Sequence, residues 1–117
     1  MEEDQIVSLT VDTIDWGTDR IQAPVTWSKG YTGKGVKVAI VDTGIASHTD
    51  LAVAGGANFT DYTSSYQDDN GHGTHVAGIA AAQNNGTGIV GAAPDAALYS
   101  VKVLGGDGSG YLSDVIA

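Results

Sequence analysis

The chain has 117 residues, and its five lysines and arginines against fourteen aspartates and glutamates leave a formal net charge of −9. That balance argues against nucleic acid or an anionic membrane surface as partner; it suits calcium or a salty exterior and, equally, plain solubility. The length allows one small domain, and no run of 18 apolar residues is present to form a transmembrane helix.

Met1 leads straight into Glu2-Glu3-Asp4, which is not the start of a signal peptide, so any address is expected upstream. Gln5-Ile6-Val7-Ser8-Leu9-Thr10 reads as a short edge strand. Residues 11–35 mix turn signals with a helix predicted over roughly Asp19 to Lys29, where Pro24 is tolerated only near the first turn. Gly33-Lys34-Gly35 is a turn. Val36 to Val41 is then a nearly continuous apolar strand, as a parallel sheet covered on both faces produces. Ala52 to Asp69 is loop-rich, with Asn58-Phe59 as a strand fragment. A helix is predicted from His72 to Gln83, followed by the loop Asn84-Asn85-Gly86-Thr87-Gly88. Ala97 to Leu104 is a second strand, residues 105–110 are glycine-rich, and Tyr111 to Ala117 opens a helical pattern. Strand, helix and strand in this order make a βαβ unit, so the fold class is α/β with a parallel sheet. The absence of cysteine leaves the redox compartment open.

Two segments carry chemistry. Val38-Ala39-Ile40-Val41-Asp42-Thr43-Gly44 ends an apolar strand on a carboxylate followed by a turn glycine. Thirty residues on, Asn70-Gly71-His72-Gly73-Thr74-His75-Val76-Ala77-Gly78 places an imidazole between two glycines at the first turn of a small-residue helix. Histidine is the side chain whose ordinary pKa suits a general base near neutrality. A carboxylate on its other ring nitrogen fixes the tautomer and favours the imidazolium formed during attack. Open α/β sheets place ligands at the carboxyl ends of their strands, where Asp42 falls. Taken alone, Asp42 is as readily a turn or cap residue, and His72 a space-filling residue at a helix start.

Asp42-Thr43-Gly44 together with His72-Gly73-Thr74-His75-Val76-Ala77-Gly78 strongly resembles the subtilisin-like serine proteases (subtilases). Trp16-Gly17, Gly33-Lys34-Gly35-Val36, His48-Thr49-Asp50-Leu51, Gly91-Ala92-Ala93-Pro94 and Val101-Lys102-Val103-Leu104 extend the likeness over almost the whole chain. The resemblance implies a three-layer fold with a mostly parallel sheet, Asp42 and His72 as two members of an Asp-His-Ser triad, and His75 as a packing residue. The family's serine stands in a Gly-Thr-Ser-Met-Ala-like context, and none of Ser8, Ser28, Ser47, Ser64, Ser65, Ser100, Ser109 and Ser113 has it. The expectation is the N-terminal part of a catalytic domain, ending before the serine-bearing half and inactive alone.

Further implications follow from the same resemblance. Gly108-Ser109-Gly110 resembles the edge to which an extended polypeptide substrate adds as a strand, with Leu104 lining apolar subsites beside His72. Gln83 to Ile89 resembles a calcium loop, with Asp50, Gln83, Asn85 and the carbonyls of Thr87 and Ile89 as oxygen ligands and Asp12 where the family has an amide. Residues 1–10 resemble the last strand of an inhibitory propeptide, implying a cut near Thr10-Val11, secretion, and the chain's own propeptide as a partner of residues 11–117. A monomer is expected when complete. Two other readings compete: a non-catalytic calcium-binding pseudoprotease fragment, and an aspartic protease, since Asp-Thr-Gly after an apolar strand is also that family's signature.

Overall fold

The computed structural model describes residues 14–86 and 88–117. The edge strand expected over residues 5–10, the propeptide segment with its cut near Thr10-Val11, Asp12 and Thr87 lie outside the described residues. The elements are α1 (Trp16–Arg20), α2 (Ala23–Ser28), β1 (Lys37–Asp42), β2 (Val53–Asn58), α3 (His72–Ala81), β3 (Ala97–Lys102) and α4 (Leu112–Ile116). The three strands form one sheet in the order β1-β3-β2. Both pairings are parallel, with Asp42 opposite Lys102 on one side of β3 and Asn58 opposite Lys102 on the other. The α/β class with a parallel sheet is therefore observed.

Three details differ from the sequence reading, each for a local reason. The single helix expected over Asp19–Lys29 is two helices, because Gln22 adopts a left-handed conformation (φ 64°) that an α-helix cannot contain. Pro24 then sits in the first turn of α2, where its missing N–H costs nothing. The loop-rich stretch after Ala52 holds a full strand, β2, rather than a fragment at Asn58-Phe59. Its Gly55-Gly56 pair hides the β signal, yet a Cβ at Gly56 would come within 2.2 Å of Ser100 O, so the bare backbone lets the ladder close. Helix α3 stops at Ala81 rather than Gln83. Ala82 turns extended and its carbonyl accepts Gly91 N–H, while Gln83 N–H donates to Asp50 O.

The core joins Ile40, Ile45, Ala77, Ala81, Ala96 and Leu98, with Val38, Leu51, Val53 and Val76 packed around it. Ala77 and Ala81 lie one turn apart on the same face of α3, and their small side chains let the helix sit close on β1 and β3. Among the described residues α3 is the helix packed on the sheet, so the three-layer arrangement implied by the resemblance is represented here by two layers. Strand β1 ends at its site-bearing residue, Asp42, and the β3 ladder ends two residues earlier than expected. Val103 N–H and Leu104 N–H both donate to the single carbonyl of Asp42, at 3.0 and 3.2 Å.

Candidate active site

Asp42 leaves the carboxyl end of β1 with its side chain 12% exposed, and His72 opens α3 with its side chain 64% exposed. His72 Nδ1 lies 2.9 Å from both carboxylate oxygens of Asp42. Thr43 N–H donates to Asp42 Oδ1 at 2.7 Å, a second bond that restrains the carboxylate facing the ring. A carboxylate offers only acceptors, so the proton of this contact sits on Nδ1 and Nε2 keeps its lone pair. The pair thus presents a basic nitrogen on a largely exposed ring.

The glycines flanking His72 have two different causes. Gly71 is the N-cap of α3 with φ 106°, a conformation that favours glycine. Gly73 is a close approach: a Cβ there would stand 2.2 Å from Gly44 O. His72 N–H donates to Asn70 Oδ1 (3.1 Å), and Asn70 Nδ2 reaches Gly106 O (3.0 Å), tying the helix start to the glycine-rich segment.

Within that segment Leu104 is half-buried and bonded through its N–H to Asp42 O. Gly108, Ser109 and Gly110 are exposed. Ser109 is committed to the turn itself: its N–H and hydroxyl donate to Asp107, and its carbonyl accepts Gly105 N–H at 2.8 Å. The Ser109 N–H is the main reason the Asp107 carboxyl is held below its ordinary pKa. Neither buried Ser100 nor Ser109 is directed at His72; the Ser100 hydroxyl donates to Tyr66 O and accepts Ile45 N–H.

The residues expected around a calcium loop converge in part. Asn85 Nδ2 donates to Asp50 Oδ1 at 2.6 Å, and Gln83 N–H to Asp50 O at 2.8 Å. Gly88 leaves room for the Asp50 carboxylate, which a Cβ would meet at 2.5 Å. The Ile89 side chain is half exposed. Among the described residues no group of three or more His, Cys, Asp or Glu side chains is gathered, so Asp50 supplies the charge of this cradle.

Sequence reasoning passed over Asp68 and the role of Lys102. Asp68 accepts five hydrogen bonds, from Thr43, Asn70, Gly71 and both donors of Thr74. Burial pushes its carboxyl up, but the Gly71, Asn70 and Thr74 donors together hold it far below the usual carboxylate range. The Asp-x-Asn-Gly spelling of residues 68–71 is a turn signal that precedes a helix and was the available clue. Lys102 is fully buried, and its ammonium donates to Thr43 O, Leu104 O and Asp69 Oδ1. Burial works against that charge, yet Asp69 and Tyr62 raise the Lys102 pKa on balance.

A parallel α/β sheet that brings a carboxylate from a strand end to an imidazole at a helix start defines the class: an α/β protein with an Asp-His pair at the carboxyl edge of an open sheet, where such folds bind ligands. The model of the Subtilase family matches residues 33–117, and the chain belongs to that family. It is 53% identical over 115 residues to an alkaline protease of Alkalihalobacillus alcalophilus, covering 98% of this chain and 30% of the relative. It is 55% identical over 103 residues to subtilisin Savinase of Lederbergia lenta, covering 88% and 38%. With the minor extracellular protease Epr of Bacillus subtilis it shares 49% identity over 116 residues, covering 96% and 18%. The chain thus spans 18 to 38% of the length of these relatives.

Proposed function

We propose that this chain supplies the general base, His72, and its orienting carboxylate, Asp42, to a serine endopeptidase. The observation that supports this reading best is the 2.9 Å contact of His72 Nδ1 with both Asp42 oxygens, beneath a ring that is otherwise open. In the mechanism, Nε2 takes the proton of a serine hydroxyl as its oxygen attacks the scissile carbonyl. Asp42 stabilises the imidazolium that results, and Nε2 then returns the proton to the departing amine. The nucleophile and the oxyanion-binding groups would come from sequence outside these 117 residues, and the isolated chain is inactive on this reading.

An extended polypeptide is the substrate. Because the main-chain groups of Ser109 and the N–H of Gly108 are used within the turn, the latter on Gly105 O at 2.9 Å, and Gly108 itself is left-handed (φ 82°), strand addition at this edge would centre on Gly110. Leu104, anchored through its N–H to Asp42 O, would line an apolar subsite beside His72. By the family resemblance Asp50, Gln83, Asn85 and the carbonyls of residues 87 and 89 would hold a calcium ion, with Asp12 as a further ligand, once the Asn85 amide, whose Nδ2 now donates to Asp50 Oδ1, turns its oxygen inward. The ion's contribution is structural, tying the end of α3 to the loop before β2. Residues 1–10 as propeptide remnant, residues 11–117 as the start of the mature domain, secretion, and a monomeric complete enzyme belong to the same reading. The all-parallel α/β sheet speaks against the aspartic protease alternative, which needs an all-β fold.

The test is peptide hydrolysis by the full-length protein. Replacing the histidine of such a triad costs on the order of 10⁶ in kcat, a magnitude established on subtilisin itself. His72→Ala should therefore abolish turnover, together with labelling of the protein by a serine-directed fluorophosphonate. Undiminished hydrolysis in that variant would end the assignment, and a full-length parent that is folded yet never labelled would mark a pseudoprotease.

A further inference from the structure

We infer that Asp68 is a positioning residue for the His72–Asp42 pair, acting through Thr43; the inference rests on the reading of His72 as base. The end of β1 and the start of α3 are joined by two routes. One is the His72–Asp42 contact itself. The other is a clamp in which Thr43 Oγ1, one residue after Asp42, accepts Gly73 N–H (2.9 Å), one residue after His72, and donates its own proton to Asp68 Oδ1 (2.8 Å). The same Oδ1 accepts Asn70 N–H and Gly71 N–H, each at 2.9 Å, while Oδ2 accepts the N–H (3.0 Å) and hydroxyl (2.5 Å) of Thr74.

Every partner of Asp68 is therefore a donor, and both oxygens are engaged. An asparagine in its place would turn an NH2 group toward donors on one side or the other, so the carboxylate is a chemical requirement and shape alone does not satisfy it. The Gly71 N-cap of α3 has no capping side chain. Asp68 instead takes the Thr74 N–H that a cap would take, and its charge faces the positive end of the helix. Thr43 is 1% exposed, so neither the hydroxyl nor the N–H it holds has water as an alternative partner. The first route must carry a ring whose charge changes during each turnover. The second contains no group that changes protonation in the reaction, and it fixes the separation of strand end and helix start throughout.

The experiment uses the full-length protein and four variants, with kcat, KM, thermal melting and the low-field proton resonance of His72 Nδ1–H as readouts. Loss of alignment by about 1 Å costs on the order of 10²-fold. Asp68→Asn should therefore lower kcat by about that factor with KM changed less than threefold, and shift the His72 resonance upfield. Thr43→Val should do the same to a lesser extent, and Thr43→Ser, which restores the hydroxyl, should recover most of the lost kcat. A folded Asp68→Asn with kcat within twofold of the parent and an unmoved resonance would overturn the inference. Should Asp68→Asn fail to fold, the Thr43 pair decides: equal kcat in Thr43→Val and Thr43→Ser overturns it, and recovery only in Thr43→Ser supports it. His72→Ala in the same series separates this outcome from failure of the functional reading, because full activity there removes the base itself.

Discussion

Gly73→Ala puts the geometry of the site to a quantitative test. The added Cβ would stand 2.2 Å from Gly44 O, 3.0 Å from Thr43 Oγ1 and 3.1 Å from Gly44 N, and real Cβ atoms essentially never approach within 3.0 Å of such neighbours. Relief therefore demands an opening of at least 3.0 − 2.2 = 0.8 Å. Gly44 is itself packed closely against the backbone of Tyr66, Gln67 and Asp68, so the expected response is a shift of α3. Carried through to the ring, the shift takes the His72–Asp42 contact from 2.9 Å to beyond hydrogen-bonding reach. Overpacking costs about 1–3 kcal/mol, while replacing a helical glycine by alanine returns about 1 kcal/mol. The net loss of stability is then small, and the loss of catalysis is large, on the order of 10²-fold. The assay is kcat on a peptide substrate alongside thermal melting of the full-length protein. A variant that melts normally and turns over within threefold of the parent would refute the claim that helix and strand end meet without slack.

Three further outcomes follow from particular contacts. Ser100→Ala removes the hydroxyl that donates to Tyr66 O and accepts Ile45 N–H, leaving that carbonyl and that N–H only their long mutual contact of 3.4 Å. It should destabilise by about 2 kcal/mol, read as a lower melting temperature in the full-length protein. Asp68 has a folded pKa below its unfolded value of about 3.9. The stability it contributes is thus present above pH ~4 and is lost as pH falls from there toward the folded value; Asp68→Asn should flatten the decline of melting temperature below pH ~4, and an unchanged slope would contradict the five-donor site. If calcium occupies the Asp50 cradle, a concentration near 100 times Kd stabilises by about 2.7 kcal/mol. Chelation should then lower the melting temperature, and Asp50→Ala should remove the dependence on calcium.

The legible parts of the molecule were those written in continuous local pattern. Val38 to Val41 and Ala97 to Val101 announce parallel strands, though β1 is covered on one face and not on both, since Ala39 and Val41 stay exposed among the described residues; the run Val76, Ala77, Ala80, Ala81 announces a helix that sits close to them. Strand β2 was hidden because its evidence is tertiary. Gly55 and Gly56 are poor strand residues in isolation, and only the carbonyl of Ser100 and the ring of Tyr66 beside Gly56 explain them. The split of the first helix turns on one residue, Gln22, whose left-handed backbone has no signature in its side chain. At the site, Asp42 and His72 stand out by residue type and position, and it is the family resemblance that gives them their roles. Asp68 and Thr43 do not stand out, because their importance lies in the direction of hydrogen bonds between segments 25 residues apart, a relation no local spacing encodes.

The inward face of β3 explains how so small a sheet holds the loops at its carboxyl end in place. Leu98, Ser100 and Lys102 follow one another along that face, each with no exposed surface. Only the first is apolar, although a central parallel strand favours apolar residues on both faces. The polarity increases toward the carboxyl end, where the loops are. Ser100 grips Ile45 and Tyr66; Lys102 grips Thr43, Leu104 and Asp69, with its ammonium 5.5 Å from the centre of the Tyr62 ring. Burying an ammonium is costly unless its donors are filled, and here all three are. The loop after Asp42, the loop before His72 and the segment that begins at Leu104 therefore hang from two adjacent inward positions of one strand. A buried lysine in place of an aliphatic side chain carries a desolvation cost, and what it secures is a common anchor for the Asp42 loop, the loop before His72 and the segment that begins at Leu104.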